Sequence, residues 1–159
     1  MEVPGHAPDH IALYDSQRKL LFAGDHIIRH MNANAIVEPD LRGNRRRTLI
    51  EYEQSLRRCL DIEIDRAYPG HGEEIVQPRE LILERLAGIE SKSQKLLERL
   101  RERACTAAEL AQAYYETKYD DAFFLVMSEI IGHLDRLEAA GAIRAVRKRG
   151  IIHYEAKGE

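Results

Sequence analysis

Three short apolar runs, each lying next to a glycine turn that carries a histidine or an aspartate, set the main constraint on this chain. Val3-Pro4-Gly5-His6-Ala7-Pro8-Asp9-His10 opens it, Ala23-Gly24-Asp25-His26 follows, and Tyr68-Pro69-Gly70-His71-Gly72 completes the set. Glycine lets the backbone bend sharply after a strand, so a polar side chain can sit at a sheet edge and face a cleft. Two neutral imidazoles and one carboxylate are a credible metal-ligand set: imidazole nitrogen suits zinc, and a carboxylate can bridge two ions. Turns also collect Gly, Pro and Asp for backbone reasons alone, so on the residues by themselves three unrelated turns stand as an equal alternative.

A chain of 159 residues suits one domain or two small ones. Hydrophobic residues make up 44%, enough to bury a core, and the net charge of −3 gives no bulk attraction to nucleic acid or to acidic membranes. The N-terminus runs directly into Pro-Gly-His without a signal-peptide pattern, and no apolar run approaches the ~20 residues of a membrane helix. Cys59 and Cys105 are too isolated for a disulfide framework or a Cys-type zinc site, so a reducing cytoplasm is the expected setting.

Ile11–Tyr14 and Leu20–Ala23, separated by five polar residues, predict a β-hairpin whose second strand delivers Gly24-Asp25. Residues 29–47 are polar and basic and read as a surface loop, a solvated face that could also grip an anionic substrate. Thr48-Leu49-Ile50-Glu51 has the capping-box pattern, predicting a helix with Leu49, Tyr52, Leu56 and Cys59 as its buried stripe. Ile62, Ile64 and Ala67-Tyr68 then lead a strand into Pro69-Gly70-His71-Gly72.

Pro78 predicts the start of a long amphipathic helix to about Arg103. Thr106-Ala107-Ala108-Glu109 is a second capping box, for a helix to about Glu116. A further helix from about Asp121 places Phe124, Met127, Ile131 and Leu134 on one face and ends at Gly141. Ile143–Val146 and Ile151–Tyr154 flank a basic turn. Helix, helix and a two-stranded wing read as a winged-helix domain. The expected organisation is 1–77, a connecting helix 78–104, and 105–159.

With these motifs in place, the chain resembles the metallo-β-lactamase superfamily of metal-dependent hydrolases, specifically its C-terminal half. The family's later motifs are a Pro-Gly-His after a strand, a Gly-Asp after the next hairpin, and a late Pro-Gly-His-Gly, matched here by His6, Asp25 and His71. Asp9-His10 and the following Ile-Ala-Leu are similar to the branch with a C-terminal winged helix, which includes β-lactamase-like endoribonucleases and relatives of the glyoxalase II thioesterases. The resemblance implies an α/β fold: the C-terminal half of an αββα sandwich, followed by the winged helix.

By that resemblance His6 binds one metal, His71 a second, and Asp25 bridges them and orients the attacking hydroxide, with His10 supporting the ligands from behind. The implied cofactor is a pair of divalent ions, zinc by donor type. The implied substrate is an ester, thioester, lactone or phosphodiester, either a small molecule or RNA. The family's most specific signature, His-x-His-x-Asp-His, has no match in these residues, and it supplies most of the usual ligands. The expectation is therefore a truncated C-terminal part, with weak or absent metal and little activity alone. Its uncovered sheet face implies a homo-oligomer, or pairing with the missing half.

Two other classes compete. A winged-helix nucleic-acid-binding module is one; DNA binding is not expected, because residues 121–140 carry more acidic than basic side chains. A non-catalytic half-chain that completes its sandwich with a partner is the other.

Overall fold

The computed structural model describes residues 1–31, 33–40, 42–115, 119 and 121–158. They divide into two compact units, Met1–Gly88 and Ile89–Glu159. The division falls inside the long helix rather than at its ends, where the sequence pattern set the connector apart.

In the first unit, β1 (Leu13–Asp15) and β2 (Leu20–Gly24) form the predicted hairpin. The first strand begins two residues later than its apolar run, because Ile11 makes only an isolated bridge to Glu2. The chain then passes through α1 (Thr48–Leu60) to β3 (Arg66–Pro69), which pairs parallel with β2. β4 (Ile75–Val76) adds antiparallel to β3, giving the order β1-β2-β3-β4.

Alternation sorts the two faces of this sheet. Leu21, Ala23, Ala67 and Ile75 are buried, and the same unit buries the stripe Leu49, Tyr52, Leu56 and Cys59 of α1. The opposite face carries Leu13, Phe22 and Val76, all at least half exposed, with Phe22 stacked on Tyr68 at 5.3 Å. Leu13, Phe22 and Tyr68 are direct cross-strand neighbours, so they form one continuous apolar ladder.

The predicted capping box at Thr48 does not form. The N-cap is Arg47 and makes no side-chain cap bond. Thr48 Oγ1 donates to the Ala35 carbonyl at 3.1 Å, and the Glu51 carboxylate pairs with Arg46 at 2.8 Å. A loop carbonyl and an arginine outcompete the helix end for the two groups a capping box needs.

The stretch 29–47 holds no helix or strand among its described residues, but it is not all surface. Ala33 and Ala35 are buried. Arg85 of α2 (Arg79–Glu102) donates to the carbonyls of Ile28 and Arg29.

The second unit packs Leu96, Leu97 and Leu100 of α2 with α3 (Ala107–Tyr115), α4 (Phe123–Ala139) and the hairpin β5 (Ile143–Lys148) and β6 (Ile151–Ala156). The predicted end of α3 at Glu116 lies outside the described residues. Thr106 and Glu109 form the predicted box: the Glu109 amide donates to Thr106 Oγ1 at 3.1 Å, and the Thr106 amide to the Glu109 carboxylate at 2.7 Å.

The predicted face of α4 is corrected. Val126, Ile130, Leu134 and Leu137 are buried, whereas Phe124 is 59% exposed. Phe123-Phe124-Leu125-Val126-Met127 is apolar on every side, so periodicity has no contrast to read there and packing selects the inner arc. Gly141, at φ +76°, ends α4: its amide bonds to Glu138 O, and that of Ala142 to Leu137 O. Arg149 and Gly150, both at positive φ, make the two-residue hairpin turn. No helix among the described residues is long and apolar enough to cross a membrane.

Candidate metal centre

The parallel pairing of β2 and β3 sets Gly24 beside Pro69, and the Gly70 amide donates to the Gly24 carbonyl at 2.8 Å. Two strand ends thus leave the sheet side by side, and the residues just beyond them, Asp25 and His71, meet. Side chains at the carboxyl ends of neighbouring parallel strands are where an open α/β sheet presents a crevice.

The N-terminal segment arrives at the same edge. Met1 and Ala12 exchange backbone hydrogen bonds, the Val3 amide bonds to the His10 carbonyl, and the turn between them projects His6. Gly5, at φ +143°, lies so close to α1 that a β-carbon there would fall 2.4 Å from Tyr52 Cβ.

The structure brings His6, Asp25 and His71 together. His6 Nε2 lies 3.6 Å from Asp25 Oδ2, and His71 Nε2 lies 3.6 Å from Asp25 Oδ1. Both separations are too long for hydrogen bonds. They match two ligand atoms sharing one ion, which lie about 3.4 Å apart for metal–ligand distances near 2.1 Å and tetrahedral angles. Each imidazole addresses a different carboxylate oxygen.

The donor atoms are also chemically prepared. His6 Nδ1 donates to the Asn34 carbonyl at 3.0 Å, which puts the ring proton on Nδ1 and leaves the Nε2 lone pair facing Asp25. The Asp25 carboxylate rests against Gly70, where a β-carbon would lie 2.5 Å from Oδ1. Two imidazole nitrogens around a carboxylate suit a divalent ion of the zinc type. Among the described residues, no three His, Cys, Asp or Glu side chains are grouped to hold a metal ion.

His10 lies behind this set. Its ring is 5.9 Å, edge-on, from that of His6, and a β-carbon on Gly24 would meet its Nε2 at 2.7 Å. Burial, then the neighbouring His6, pushes its pKa down. His26, next after Asp25 in the chain, is wholly buried, edge-on to the Tyr52 ring at 5.4 Å. Burial lowers its pKa to about 4, so it is a neutral core imidazole at physiological pH. His30 is exposed near Gly72, while His133 is buried against Ser93 at 2.8 Å.

Sequence reasoning missed the Asn34 carbonyl and the Gly70 cradle. A main-chain acceptor leaves no mark in a pattern of side chains. The glycine was visible, but the partner that requires it lies 45 positions away in the chain (70 − 25).

Residues 1–71 match the family model described as the metallo-beta-lactamase superfamily. The chain is 32% identical over 156 residues to the probable metallo-hydrolase YqjP of Bacillus subtilis, covering 98% of this chain and 49% of that protein. A crystal structure of a metallo-beta-lactamase family protein from Thermus thermophilus superposes with a TM-score of 0.82 at 25% identity, covering 99% of this chain and 48% of that one. A beta-lactamase domain protein from Burkholderia ambifaria shares the fold, with a TM-score of 0.85 at 24% identity over 97% of this chain and 46% of its own. The chain thus spans about half the length of the relatives it matches. Residues 1–71 are thus similar to the metallo-beta-lactamase superfamily model, and nearly the whole chain is similar to one part of these longer proteins.

Proposed function

We propose that this chain contributes one side of a metal-dependent hydrolase site in which His6 and His71 face two different ions and Asp25 bridges them. The observation that carries this reading is the Asp25 carboxylate, with each oxygen 3.6 Å from the Nε2 of a different histidine. Divalent ions held there supply Lewis-acid activation of water and of a carbonyl or phosphoryl oxygen. Asp25 sets the spacing between the two positions, and the Asn34 carbonyl keeps His6 in its ligand tautomer. His10 holds the Gly24-Asp25 turn from behind. His71, exposed at the rim, stands where a substrate would enter.

Each ion, if bound, would have two protein ligands from these residues, fewer than the three or four of typical zinc sites. Weak metal uptake is therefore expected from the 159-residue chain alone, with esters, thioesters and phosphodiesters as the substrate classes. Cobalt(II) titration followed by visible absorption tests the reading. Uptake should be lost in Asp25→Ala and reduced in His6→Ala and His71→Ala; equal uptake by all four proteins would refute it.

We read the second unit as a winged helix, on the order α3, α4, β5, β6 and the basic turn at Arg147-Lys148-Arg149. The start of α4 exposes Phe123, Phe124 and Leu125 rather than cations, which disfavours phosphate contacts by that helix end.

A further inference from the structure

α1 carries three hydroxyl side chains, Thr48, Tyr52 and Ser55, at the i, i+4, i+7 spacing that places them on one face. All three are buried. Each donates to a main-chain carbonyl in a different segment of the candidate site. Thr48 Oγ1 reaches Ala35 O at 3.1 Å, Tyr52 Oη reaches His26 O at 3.1 Å, and Ser55 Oγ reaches Pro4 O at 2.8 Å.

These carbonyls are not scattered. Ala35 follows Asn34, whose carbonyl receives the His6 ring proton. His26 follows Asp25. Pro4 lies two residues before His6, and Gly5 between them is pressed onto the Tyr52 backbone. None of the three segments belongs to a strand or helix, so the sheet ladder does not fix their peptide planes. The N-cap of α1 is Arg47, which makes no side-chain cap bond, and the Thr48 hydroxyl goes to Ala35 O.

We propose that Thr48, Tyr52 and Ser55 are positioning residues that fix the metal-facing set through main-chain carbonyls, with α1 as the rigid element holding all three segments. The chain of effect is shortest for Thr48. Anchoring Ala35 orients the adjoining Asn34 carbonyl, and that carbonyl selects the Nδ1–H tautomer of His6 and frees Nε2. Tyr52 acts likewise on the peptide after Asp25, and Ser55 on the approach to His6. The inference rests on reading His6, Asp25 and His71 as metal-facing.

The test uses the metal-free 159-residue chain with Thr48→Val, Thr48→Ser, Tyr52→Phe and Ser55→Ala. Nitrogen-15 NMR of the His6 ring reports the tautomer, and cobalt(II) alone is the binding probe. Wild type and Thr48→Ser should show a single Nδ1–H tautomer, and Thr48→Val a mixture. Cobalt binding should weaken at least about tenfold in Thr48→Val and Tyr52→Phe, the usual effect of losing a partner behind a ligand. An unchanged tautomer in Thr48→Val, with wild-type cobalt affinity in both variants, would overturn the proposal. Should Thr48→Val fail to fold, Ser55→Ala is read by cobalt affinity alone: a loss of at least about tenfold is expected, and a wild-type value would overturn the proposal. If wild type takes up no cobalt, the metal reading fails, while the tautomer comparison still decides the role of α1.

Discussion

Asp25 and Gly70 touch so closely that the glycine's missing side chain is part of the site: a β-carbon on Gly70 would lie 2.5 Å from Asp25 Oδ1. Gly70→Ala should therefore move a carboxylate tip, which swings at little cost, and spare the fold. Stability should change by less than about 1 kcal/mol, the range of substitutions that leave the core intact. Cobalt affinity should fall at least about tenfold, since the bridging group is displaced. Gly5→Ala is the contrasting control. There the new carbon meets the Tyr52 backbone at φ +143°, and a loss of roughly 3 kcal/mol is expected from overpacking and strain together. Urea unfolding of the two variants, beside the titration, separates a site effect from a fold effect.

His26 makes the first unit acid-sensitive. Its folded pKa of about 4 lies below the ordinary value of 6.5, so between those values the unfolded chain binds the extra proton. Its contribution is fully present above pH 6.5 and is lost as pH falls toward 4, on the order of 3 kcal/mol in all at about 1.4 kcal/mol per unit. In EDTA-treated protein, the urea midpoint should drop more steeply between about pH 7 and about pH 4.5 for wild type than for His26→Phe. Parallel slopes for the two proteins would contradict this account.

Thr106 and Glu109 close the start of α3, whereas Thr48 and Glu51 do not close that of α1. Thr106→Ala should cost α3 about 1 kcal/mol through loss of the cap. The sensitive readout is hydrogen exchange at the Glu109 amide, which donates to the Thr106 hydroxyl and should exchange about fivefold faster, the rate equivalent of that energy.

Leu13 and Phe22 lie side by side on the open face of the sheet and are 63% and 50% exposed. Contiguous apolar surface of this kind marks an interaction face. For the 159-residue chain by itself the available cover is a second copy packed sheet to sheet. Sedimentation should show reversible self-association, and Leu13→Lys with Phe22→Lys should shift it strongly toward monomer. A wild-type chain that sediments as a monomer at about 100 µM, on the order of the concentration where a weak dimer would show, removes the idea.

Several elements were legible because their signals are local. The stripe of α1 repeats every three or four residues, the Thr106 box spans four, and Gly141 marks its own helix end. The candidate trio was legible as residue types beside glycine turns. The inner face of α4 was not, because an all-apolar start gives periodicity nothing to contrast. Nor was the fate of Thr48, whose pattern fits a cap but whose hydroxyl serves a carbonyl 13 residues back (48 − 35).

What the residues alone determined was the stock of chemistry: two imidazoles, a carboxylate, and glycines able to turn the chain beside them. What only the tertiary structure decided was their meeting. Asp25 and His71 converge because β3 returns through α1 to lie parallel against β2 with Gly24 level with Pro69. That register is fixed by burying Leu21, Ala23 and Ala67 on one face. A one-residue slip would turn those side chains to solvent and part the two strand ends, a cost that belongs to the assembled sheet and not to any short stretch of chain.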